Sequence, residues 1–464
     1  MRYAELTAAS YRVADWLRRR GIGRGDRVVV IAPNQPSTVE LLYGCSRIGA
    51  VFALLHEQVR GEGLRHVLAD AAPRLLVTDG EPARRAATEF GIPVAGTADV
   101  GQSDVDGGHR ATGREPAPLQ TDPVCLIYTS GSTGLPKAVV STHAQVLFAA
   151  QAIQSRLGYR ADDVLYAPLP LSFDYGMYQI FLAALAGTHL WLGTSADIGP
   201  ALLRELRRSG ATILPAVPSL AENLARMLAR YGGRLRLRLL TNTGAAMGER
   251  TLAALRGHIP TLRVQLMFGL TECKRVSIMP PDGDLDRPGS SGLPLPGTEV
   301  LVVDDDGRPV PPGTIGELVV RGPHVMAGYW RRPELTAQRF HRVEGLFPQL
   351  HSGDYGWLDA DGYLYFSGRR DDLYKSRGFR VSATEVEAAV CRVPGVEAAA
   401  VLVPGTGTAT PVLFVVSKLQ PTEVIERLRG ELEPYKVPDR CHCVEELPLT
   451  PHGKVDRTAL AALL

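Results

Sequence analysis

The stretch YTSGSTGLPK, residues 128–137, is the part of the chain from which its fold can be worked out. It combines glycines and hydroxyl side chains with a final lysine, which is the composition of a loop that grips phosphate groups. The common nucleotide-binding loop needs a glycine, four further residues, and then Gly-Lys followed by Ser or Thr. Lys137 instead follows Pro136 and precedes Ala138, so this template fails. On composition alone two interpretations stay open, a phosphate loop of another kind or a flexible turn.

The flanking residues predict that the loop joins two strands and is followed by a helix. The segment VCLIYTSGSTGLPKAVVSTHAQVLFAAQ, residues 124–151, has the pattern of a strand, the glycine loop, a short strand and a helix. Thr142 with Gln145 three residues later is a capping-box pattern that marks the start of the helix. A glycine loop after a buried strand can turn its backbone N–H groups inward and form an anion site without a helix dipole. Lys137 could then pair with a terminal phosphate.

Length, charge and cysteine content exclude several classes of protein. The 464 residues, 45% of them hydrophobic, are enough for about three domain-sized units. Lysine and arginine number 51 against 49 acidic residues, so the net charge of +2 predicts neither nucleic acid nor a membrane surface as a partner. We find no apolar signal core after Met1 and no apolar run of about 18 residues, which favours a cytoplasmic protein with a small-molecule substrate. Six scattered cysteines indicate reduced thiols, and Cys441 and Cys443 are interpreted as ordinary strand residues rather than a zinc site.

The order of apolar patterns predicts an α/β fold. As far as about residue 240, strand-like RVVVIA (27–32) and RLLVT (74–78) alternate with helix-period segments such as STVELLYGCSRIGAVF (37–52), as in parallel βαβ units. Residues 80–121 lose this periodicity and are predicted to be a surface excursion.

The second half of the chain changes pattern twice. From about residue 292, short strands are separated by turns, which predicts a mainly antiparallel subdomain. After GRRDDLY (368–374), the helix-like and strand-like segments of a compact α+β unit follow. We therefore predict a large N-terminal domain of layered α/β subdomains, residues 1–370, whose β-rich part covers about 292–370. A small mobile α+β C-terminal domain, residues 371–464, completes the chain.

The loop is similar to the signature of the AMP-forming adenylating superfamily, which comprises acyl-CoA synthetases, adenylation domains and luciferases. The other motifs of that family follow in order: TNTGAAM (241–247), MFGLTE (267–272), GELVVRG with GYW (316–330), HSGDYGWLDADGYLYFSGRRDD (351–372) and LTPHGKVDR (449–457). The resemblance covers essentially the whole chain. It implies an AMP-forming acid–thiol ligase that uses ATP and Mg²⁺. Such an enzyme joins a carboxylate to AMP with release of pyrophosphate, and then forms a thioester on phosphopantetheine.

The resemblance also implies which residues hold ATP. Glu272 and Thr271 would engage Mg²⁺ and the α-phosphate, because a carboxylate beside phosphates suits that ion. Phe268 stands where the family more often has tyrosine and would stack on adenine. The implied nucleotide contacts are Thr129, Ser130, Gly131, Ser132, Thr133, Gly134, Lys137, Gly244, Ala245, Phe268, Gly269, Asp354 and Arg369.

The C-terminal domain supplies a mobile cation in this family. Lys454 would bridge the substrate carboxylate and the α-phosphate during adenylation. Asp371 occupies the position of the hinge, about which the domain would rotate before the thiol enters. Gly378 would leave room for the pantetheine arm. In-line phosphoryl chemistry of this kind needs charge neutralisation and alignment more than covalent help from the protein.

The acyl pocket suggests the substrate class. Asp174 lies where amino-acid-activating members pair a carboxylate with the substrate ammonium, so the chain looks most like stand-alone enzymes that load proline-like or β-amino acids onto carrier proteins in natural-product pathways. Arg275 could receive a second substrate carboxylate or only satisfy Asp174. The chain ends without a carrier domain, so we expect the thiol to be supplied by a separate protein. An acyl-CoA ligase for a non-amino acid is the alternative. Further residues at pocket positions are Tyr175, Tyr178, Thr241, Thr243 and Met267.

Overall fold

The structure is a computed structural model, and it describes residues 1–102, 117–130, 136–342, 348–369, 373–376, 379–404, 408, 410–430, 432, 436–449 and 455–464. The chain forms two compact units. The first consists of Met1–Val300 with Val319–His351, and the second of Leu301–Leu318 with Ser352–Leu464. The domain boundary expected after residue 370 stays a prediction.

The helices and strands follow one another along the described residues. The helices are α1 (Tyr3–Arg19), α2 (Pro36–Ile48), α3 (Gly61–Ala71), α4 (Glu81–Glu89), α5 (His143–Leu157), α6 (Asp174–Ala186), α7 (Leu202–Ser209), α8 (Pro218–Tyr231), α9 (Glu249–His258), α10 (Pro333–Arg339), α11 (Ala383–Arg392), α12 (Pro421–Arg429) and α13 (Arg457–Ala461). The strands are β1 (Arg27–Ile31), β2 (Val51–Leu55), β3 (Leu75–Thr78), β4 (Val94–Ala95), β5 (Pro123–Ser130), β6 (Pro136–Thr142), β7 (Val164–Ala167), β8 (His189–Leu192), β9 (Ile213–Ala216), β10 (Leu239–Asn242), β11 (Arg263–Phe268), β12 (Ser277–Ile278), β13 (Ser290–Pro294), β14 (Glu299–Val303), β15 (Gly316–Arg321), β16 (Gly328–Tyr329), β17 (Phe340–Arg342), β18 (Pro348–Leu358), β19 (Leu364–Arg369), β20 (Leu373–Ser376), β21 (Phe379–Ser382), β22 (Val396–Leu402), β23 (Val412–Ser417) and β24 (Arg440–Cys443).

The first sheet of the first unit has the strand order β16-β6-β5-β2-β1-β3-β4. β1 pairs parallel with both β2 and β3, and its side chains alternate between two cores. Val28 and Val30 join one hydrophobic cluster, whereas Val29 and Ile31 join another. A strand buried on both faces carries a continuous apolar run, which explains RVVVI. The predicted parallel α/β class is confirmed for this part of the chain.

The second sheet of the same unit contains β13-β12-β11-β10-β9-β7-β8 in that order. β9, β10 and β11 are parallel neighbours, with Asn242 opposite both Ala216 and Leu266. Parallel strands end at a common edge, and ligands of open α/β sheets bind outside the carboxyl ends of the strands. The motifs TNTGAAM and MFGLTE therefore leave the sheet side by side.

Two sequence expectations for the first unit need correction. Residues 80–121 were expected to be a surface excursion, but they contain α4 and also β4, which pairs parallel with β3. The buried face of α4 consists of Ala83, Ala86 and Ala87, and alanine gives only a weak apolar signal. The segment 37–52 is also divided, because α2 ends at Gly49, where φ is 71°, and β2 begins at Val51.

The second unit is built mainly from antiparallel strands. β18 pairs antiparallel with β19, β20 with β21, and β22 with β23, while β24 runs parallel to β23. α11 and α12 pack their apolar side chains, among them Val386, Val390 and Leu428, onto this last sheet. Among the helices of the described residues, none has both the length and the apolar character needed to cross a bilayer.

Candidate active site

The glycine-rich loop connects the two strands of a hairpin. β5 and β6 pair antiparallel, with Thr129 opposite Lys137 and Ser130 opposite Pro136. The helix that follows β6 begins with the predicted capping box, since Gln145 N donates to Thr142 Oγ1 over 3.3 Å and Thr142 N donates to Gln145 Oε1 over 2.9 Å. The loop is thus separated from the start of α5 by a whole strand. Gly131, Ser132, Thr133 and Gly134 lie outside the described residues.

Lys137, the second residue of β6, belongs to a charged group that includes Glu272. The Lys137 ammonium donates to the Tyr329 hydroxyl over 2.9 Å and lies 3.4 Å from Glu272 Oε1. Tyr329 in turn donates its hydroxyl hydrogen to Glu272 Oε1 over 2.6 Å. Burial by itself would raise the pKa of Glu272, but the Tyr329 hydrogen bond and the Lys137 charge hold it below its ordinary value. Glu272 is therefore an ionised carboxylate in a nearly closed site.

The chain reverses sharply after β11. A Cβ atom on Gly269 would collide with the carbonyl oxygen of Lys274 and would lie 2.8 Å from Cα of Arg275. Lys274 itself has a φ of 62°, in the left-handed region that side chains seldom adopt. This turn brings Glu272 and Arg275 onto one short segment. Gly269 packs closely against the backbone of this turn, and its contact with the nucleotide stays a prediction.

The Asp174 carboxylate lies at the start of α6 and faces a buried arginine. Arg275 Nη1 is 3.2 Å from Asp174 Oδ2 and also donates to the Lys274 carbonyl over 2.7 Å. Its guanidinium lies over the Tyr175 ring at 4.8 Å. The Arg275 side chain is only 5% exposed and that of Asp174 18%, so this ion pair is largely shielded from water. The structure thus brings together the two charged residues that the sequence placed in the acyl pocket.

Lys274 is a functional candidate that the sequence analysis missed. Its side chain is fully buried and its ammonium donates to the Thr271 carbonyl over 3.0 Å. Burial lowers the pKa of Lys274, and the negative charge of Asp174 opposes that effect. Within the described residues, no carboxylate lies at ion-pair distance from this ammonium. The only signal in the sequence was a second cation directly before Arg275.

The other residues predicted for the acyl pocket are also buried, and two of them lie beside these charges. The Tyr175 hydroxyl lies 2.8 Å from the Thr241 carbonyl and 2.7 Å from Thr241 Oγ1, which joins α6 to the end of β10. The Tyr178 ring lies 5.7 Å from the Lys274 ammonium. Thr243 and Met267 are also buried at the ends of β10 and β11. The five predicted pocket residues other than Asp174 and Arg275 are therefore distributed over three neighbouring elements of one unit.

The predicted adenine wall is open in the structure. Gly244 has a φ of 92°, and a Cβ atom there would meet no atom of the described residues within 4 Å. Gly244 and Ala245 are exposed, and Phe268 is half-buried at the end of β11. A flat group could approach the backbone at this point without a side chain in the way.

The second unit holds the two residues predicted to contact ribose. Asp354 and Arg369 are direct cross-strand partners on β18 and β19. Arg369 Nε lies 3.4 Å from Asp354 Oδ1, and Asp354 is buried whereas Arg369 is exposed. Lys454, Asp371 and Gly378 lie outside the described residues, so their roles stay predictions.

Comparison with known proteins identifies a family for both halves of the chain. The family described as AMP-binding enzyme matches residues 1–330, and the AMP-binding enzyme C-terminal domain matches residues 385–454. Feruloyl-CoA synthase of an Amycolatopsis species is 33% identical over 98% of this chain and 92% of its own length. The L-proline–[L-prolyl-carrier protein] ligase of Streptomyces coelicolor is 32% identical over 98% of this chain and 90% of its own length.

Solved structures give the same result. The complex of VinN with L-aspartate is 42% identical, covers 79% of this chain and 91% of its own, and superposes with a TM-score of 0.70. ATP-bound MatB from Rhodopseudomonas palustris is 27% identical over 99% of this chain and 93% of its own, with a TM-score of 0.84. The predicted superfamily, with its large N-terminal and small C-terminal domains and its binding of ATP or AMP, is confirmed. The chain therefore belongs to the family of AMP-binding enzymes and is an AMP-forming acid–thiol ligase.

Proposed function

We propose that this ligase activates an amino acid that carries a second carboxylate, as aspartate and its β-amino relatives do, and transfers it to the phosphopantetheine thiol of a carrier protein. The observation that carries the proposal is the charge around Asp174. Lys137 lies against Glu272, and Arg275 lies 3.2 Å from Asp174. Lys274 has no carboxylate at ion-pair distance among the described residues, and Asp174 is the negative charge that acts on it most. A buried charge without a partner costs several kcal/mol, so the pocket is suited to one further anion.

An amino acid with two carboxylates satisfies every charged group of this pocket. In the proposed complex its ammonium forms an ion pair with Asp174, and its second carboxylate forms ion pairs with Lys274 and Arg275. The first carboxylate loses its charge when it forms the acyl adenylate, so the second one has to balance the cations through both half-reactions. A proline-like substrate would supply the ammonium but not this second anion.

The adenylation step needs charge neutralisation at the phosphates. The substrate carboxylate attacks the α-phosphorus of ATP, a P–O bond to the β-phosphate breaks, and pyrophosphate leaves. Lys137 and the loop after Thr129 would hold the pyrophosphate end. Glu272, which is kept ionised, fits a role in holding Mg²⁺ together with Thr271, and this ion would supply further neutralisation of the triphosphate. The bridging role of Lys454 is implied by the family resemblance.

The named relatives support this class of substrate and acceptor. VinN was solved with L-aspartate, and the Streptomyces coelicolor relative is a ligase for a carrier protein. The second candidate is an acyl-CoA ligase for a non-amino acid, as in feruloyl-CoA synthase. One contact favours that alternative, because Arg275 at 3.2 Å can satisfy Asp174 without any substrate ammonium.

ATP–pyrophosphate exchange over a panel of acids tests the proposal. We expect exchange with L-aspartate or a β-amino dicarboxylic acid, and little with proline, aryl acids or fatty acids. The variant Asp174→Ala should lose exchange with the amino acid, whereas its exchange with succinate, which has both carboxylates but no ammonium, should not fall below that of the wild type. Exchange with aryl or fatty acids and with no amino acid would overturn the proposal. Unchanged activity of Asp174→Ala toward the amino acid would show that the ammonium argument is wrong. Thioester formation with a carrier protein and with coenzyme A then distinguishes the two acceptors.

A further inference from the structure

One turn of α3 is hydrogen-bonded to both strands that carry the glycine-rich loop. His66 Nε2 lies 2.8 Å from the Pro136 carbonyl, at the start of β6. Because a carbonyl oxygen can only accept, Nε2 must carry the hydrogen. The Tyr128 hydroxyl, near the end of β5, donates to Asp70 Oδ2 over 2.9 Å. His66 and Asp70 are four residues apart and so lie on one face of the helix.

Asp70 is also bonded to the residues that follow β16, the strand that ends with the Glu272 partner Tyr329. Arg332 Nη2 lies 3.1 Å from Asp70 Oδ1, and the Trp330 indole N–H donates to the Asp70 carbonyl over 3.1 Å. Trp330 directly follows Tyr329, whose hydroxyl contacts both Lys137 and Glu272. The motif GYW is therefore attached to α3 through its tryptophan and to the charged site through its tyrosine.

The bonds to Asp70 are shielded from water. The Asp70 side chain is 5% exposed, and such a carboxylate needs charged or hydrogen-bonded partners. Burial raises the pKa of Tyr128, and the neighbouring Asp70 charge raises it further, so the phenol keeps the hydrogen that it donates. Hydrogen bonds to a buried carboxylate hold its partners in one arrangement, because any other arrangement would leave a buried polar group unpaired.

We propose that His66 and Asp70 are positioning residues that hold the two ends of the phosphate loop, and with them Lys137, in the geometry that ATP and pyrophosphate require. The proposal rests on the function proposed above, in which the loop holds phosphates. Of the described residues beside the loop, Pro136 accepts from His66 and Tyr128 donates to Asp70, so α3 fixes the strands on both sides of it. Donors that are already in place do not have to be ordered when the charged group arrives.

Steady-state ATP–pyrophosphate exchange and calorimetric binding of ATP without the acid test this role. Asp70→Asn and Tyr128→Phe should each raise the KM for ATP and for pyrophosphate about tenfold, the loss expected for one hydrogen bond to a charged group. The KM for the amino acid should change less than twofold. The double variant should resemble the worse single variant, because both changes weaken the same contact between Tyr128 and Asp70. His66→Ala should act in the same direction, and His66→Gln should restore the wild-type values through its amide N–H.

A matched control separates positioning from stability. Asp163 is a buried carboxylate that accepts from Thr212 Oγ1 over 2.8 Å and from Arg238 Nε over 2.6 Å, but it lies beside β7 in the other sheet. Asp163→Asn should lower the Tm as Asp70→Asn does and leave the KM for ATP unchanged. Equal changes in the KM for ATP and for the acid, or a lower Tm with an unchanged KM for ATP, would overturn the proposal. A wild-type chain that binds ATP but activates no amino acid would instead refute the proposed substrate, and ATP binding by the variants would still decide the role of α3.

Discussion

Replacing Lys274 by methionine removes the fully buried ammonium beside Arg275 and keeps a side chain of similar length. In the proposed complex this ammonium contacts the second carboxylate of the substrate. Loss of one partner from a buried, hydrogen-bonded charge pair costs about 2–5 kcal/mol. Arg275 would still bind the same carboxylate, so we expect the lower end of this range. A cost of about 2 kcal/mol corresponds to a KM that is about thirtyfold higher. L-Asparagine has an amide in place of that carboxylate and should be affected much less.

Although Lys274→Met should weaken the binding of the substrate, it should not lower the stability of the folded protein. Burial lowers the pKa of Lys274, which means that the folded state disfavours its charge. Between the lowered pKa and the ordinary value near 10.5, the unfolded chain binds the extra proton, so wild-type stability rises with pH in that window. Lys274→Met removes this dependence and should be as stable as the wild type at pH 7, or more stable.

Two measurements decide the matter. Pyrophosphate exchange gives the ratio of kcat/KM for L-aspartate to that for L-asparagine, and urea unfolding gives the free energy of unfolding at pH 7 and pH 10. We expect the ratio to fall about thirtyfold while stability is kept. If the ratio is unchanged and stability falls, Lys274 serves only to hold the Thr271 carbonyl, and the argument for a second carboxylate is refuted.

Two further predictions concern titrating groups. Tyr329→Phe removes the hydroxyl that donates to Glu272 and helps to lower its pKa, so the acidic limb of the pH profile of pyrophosphate exchange should move to higher pH. An unchanged limb would mean that the neighbouring charges of Lys137 and Arg339 keep Glu272 ionised without this hydrogen bond. Burial lowers the pKa of His324 from 6.5 to about 4, and the backbone of Arg275 opposes part of this effect. As the pH falls from 6.5 to 4, the unfolded chain therefore binds the proton before the folded chain does, and the wild type loses stability over that range. The loss should be on the order of 3 kcal/mol, and His324→Phe should abolish it in urea unfolding at pH 7 and pH 4.5; equal acid sensitivity of both proteins would contradict the buried neutral imidazole.

Features set by neighbouring residues could be predicted from the sequence. The capping box of Thr142 and Gln145 depends on residues three apart, and it forms as expected. The alternation of RVVVIA with helix-period segments likewise gave the parallel sheet. α4 was missed because its buried side chains are alanines, whose hydrophobicity differs too little from that of the residues around them.

Contacts between distant residues could be predicted only in part. Asp354 and Arg369 were expected at one site through the family motifs, and they face each other across β18 and β19. The bond between Tyr128 and Asp70 spans 58 residues and leaves no trace in either local pattern. Lys274 was missed because consecutive charges usually mark a solvated surface. Here the backbone of Gly269 lies against that of Lys274, and Lys274 has a left-handed φ. Together these two features direct the lysine side chain into the interior.

We expect the sharp turn after β11 to couple the binding of ATP to the binding of the acid substrate. Glu272 on this turn faces Lys137, whereas Arg275, three residues later, faces Asp174. The backbone contact between Gly269 and Lys274 leaves the segment little freedom to move one side chain without the other. In the proposed complex, a shift of this turn on ATP binding would reach Arg275 and its partner Asp174. By linkage the acid substrate would then alter the affinity for ATP by the same factor, so each substrate would act as an effector for the other.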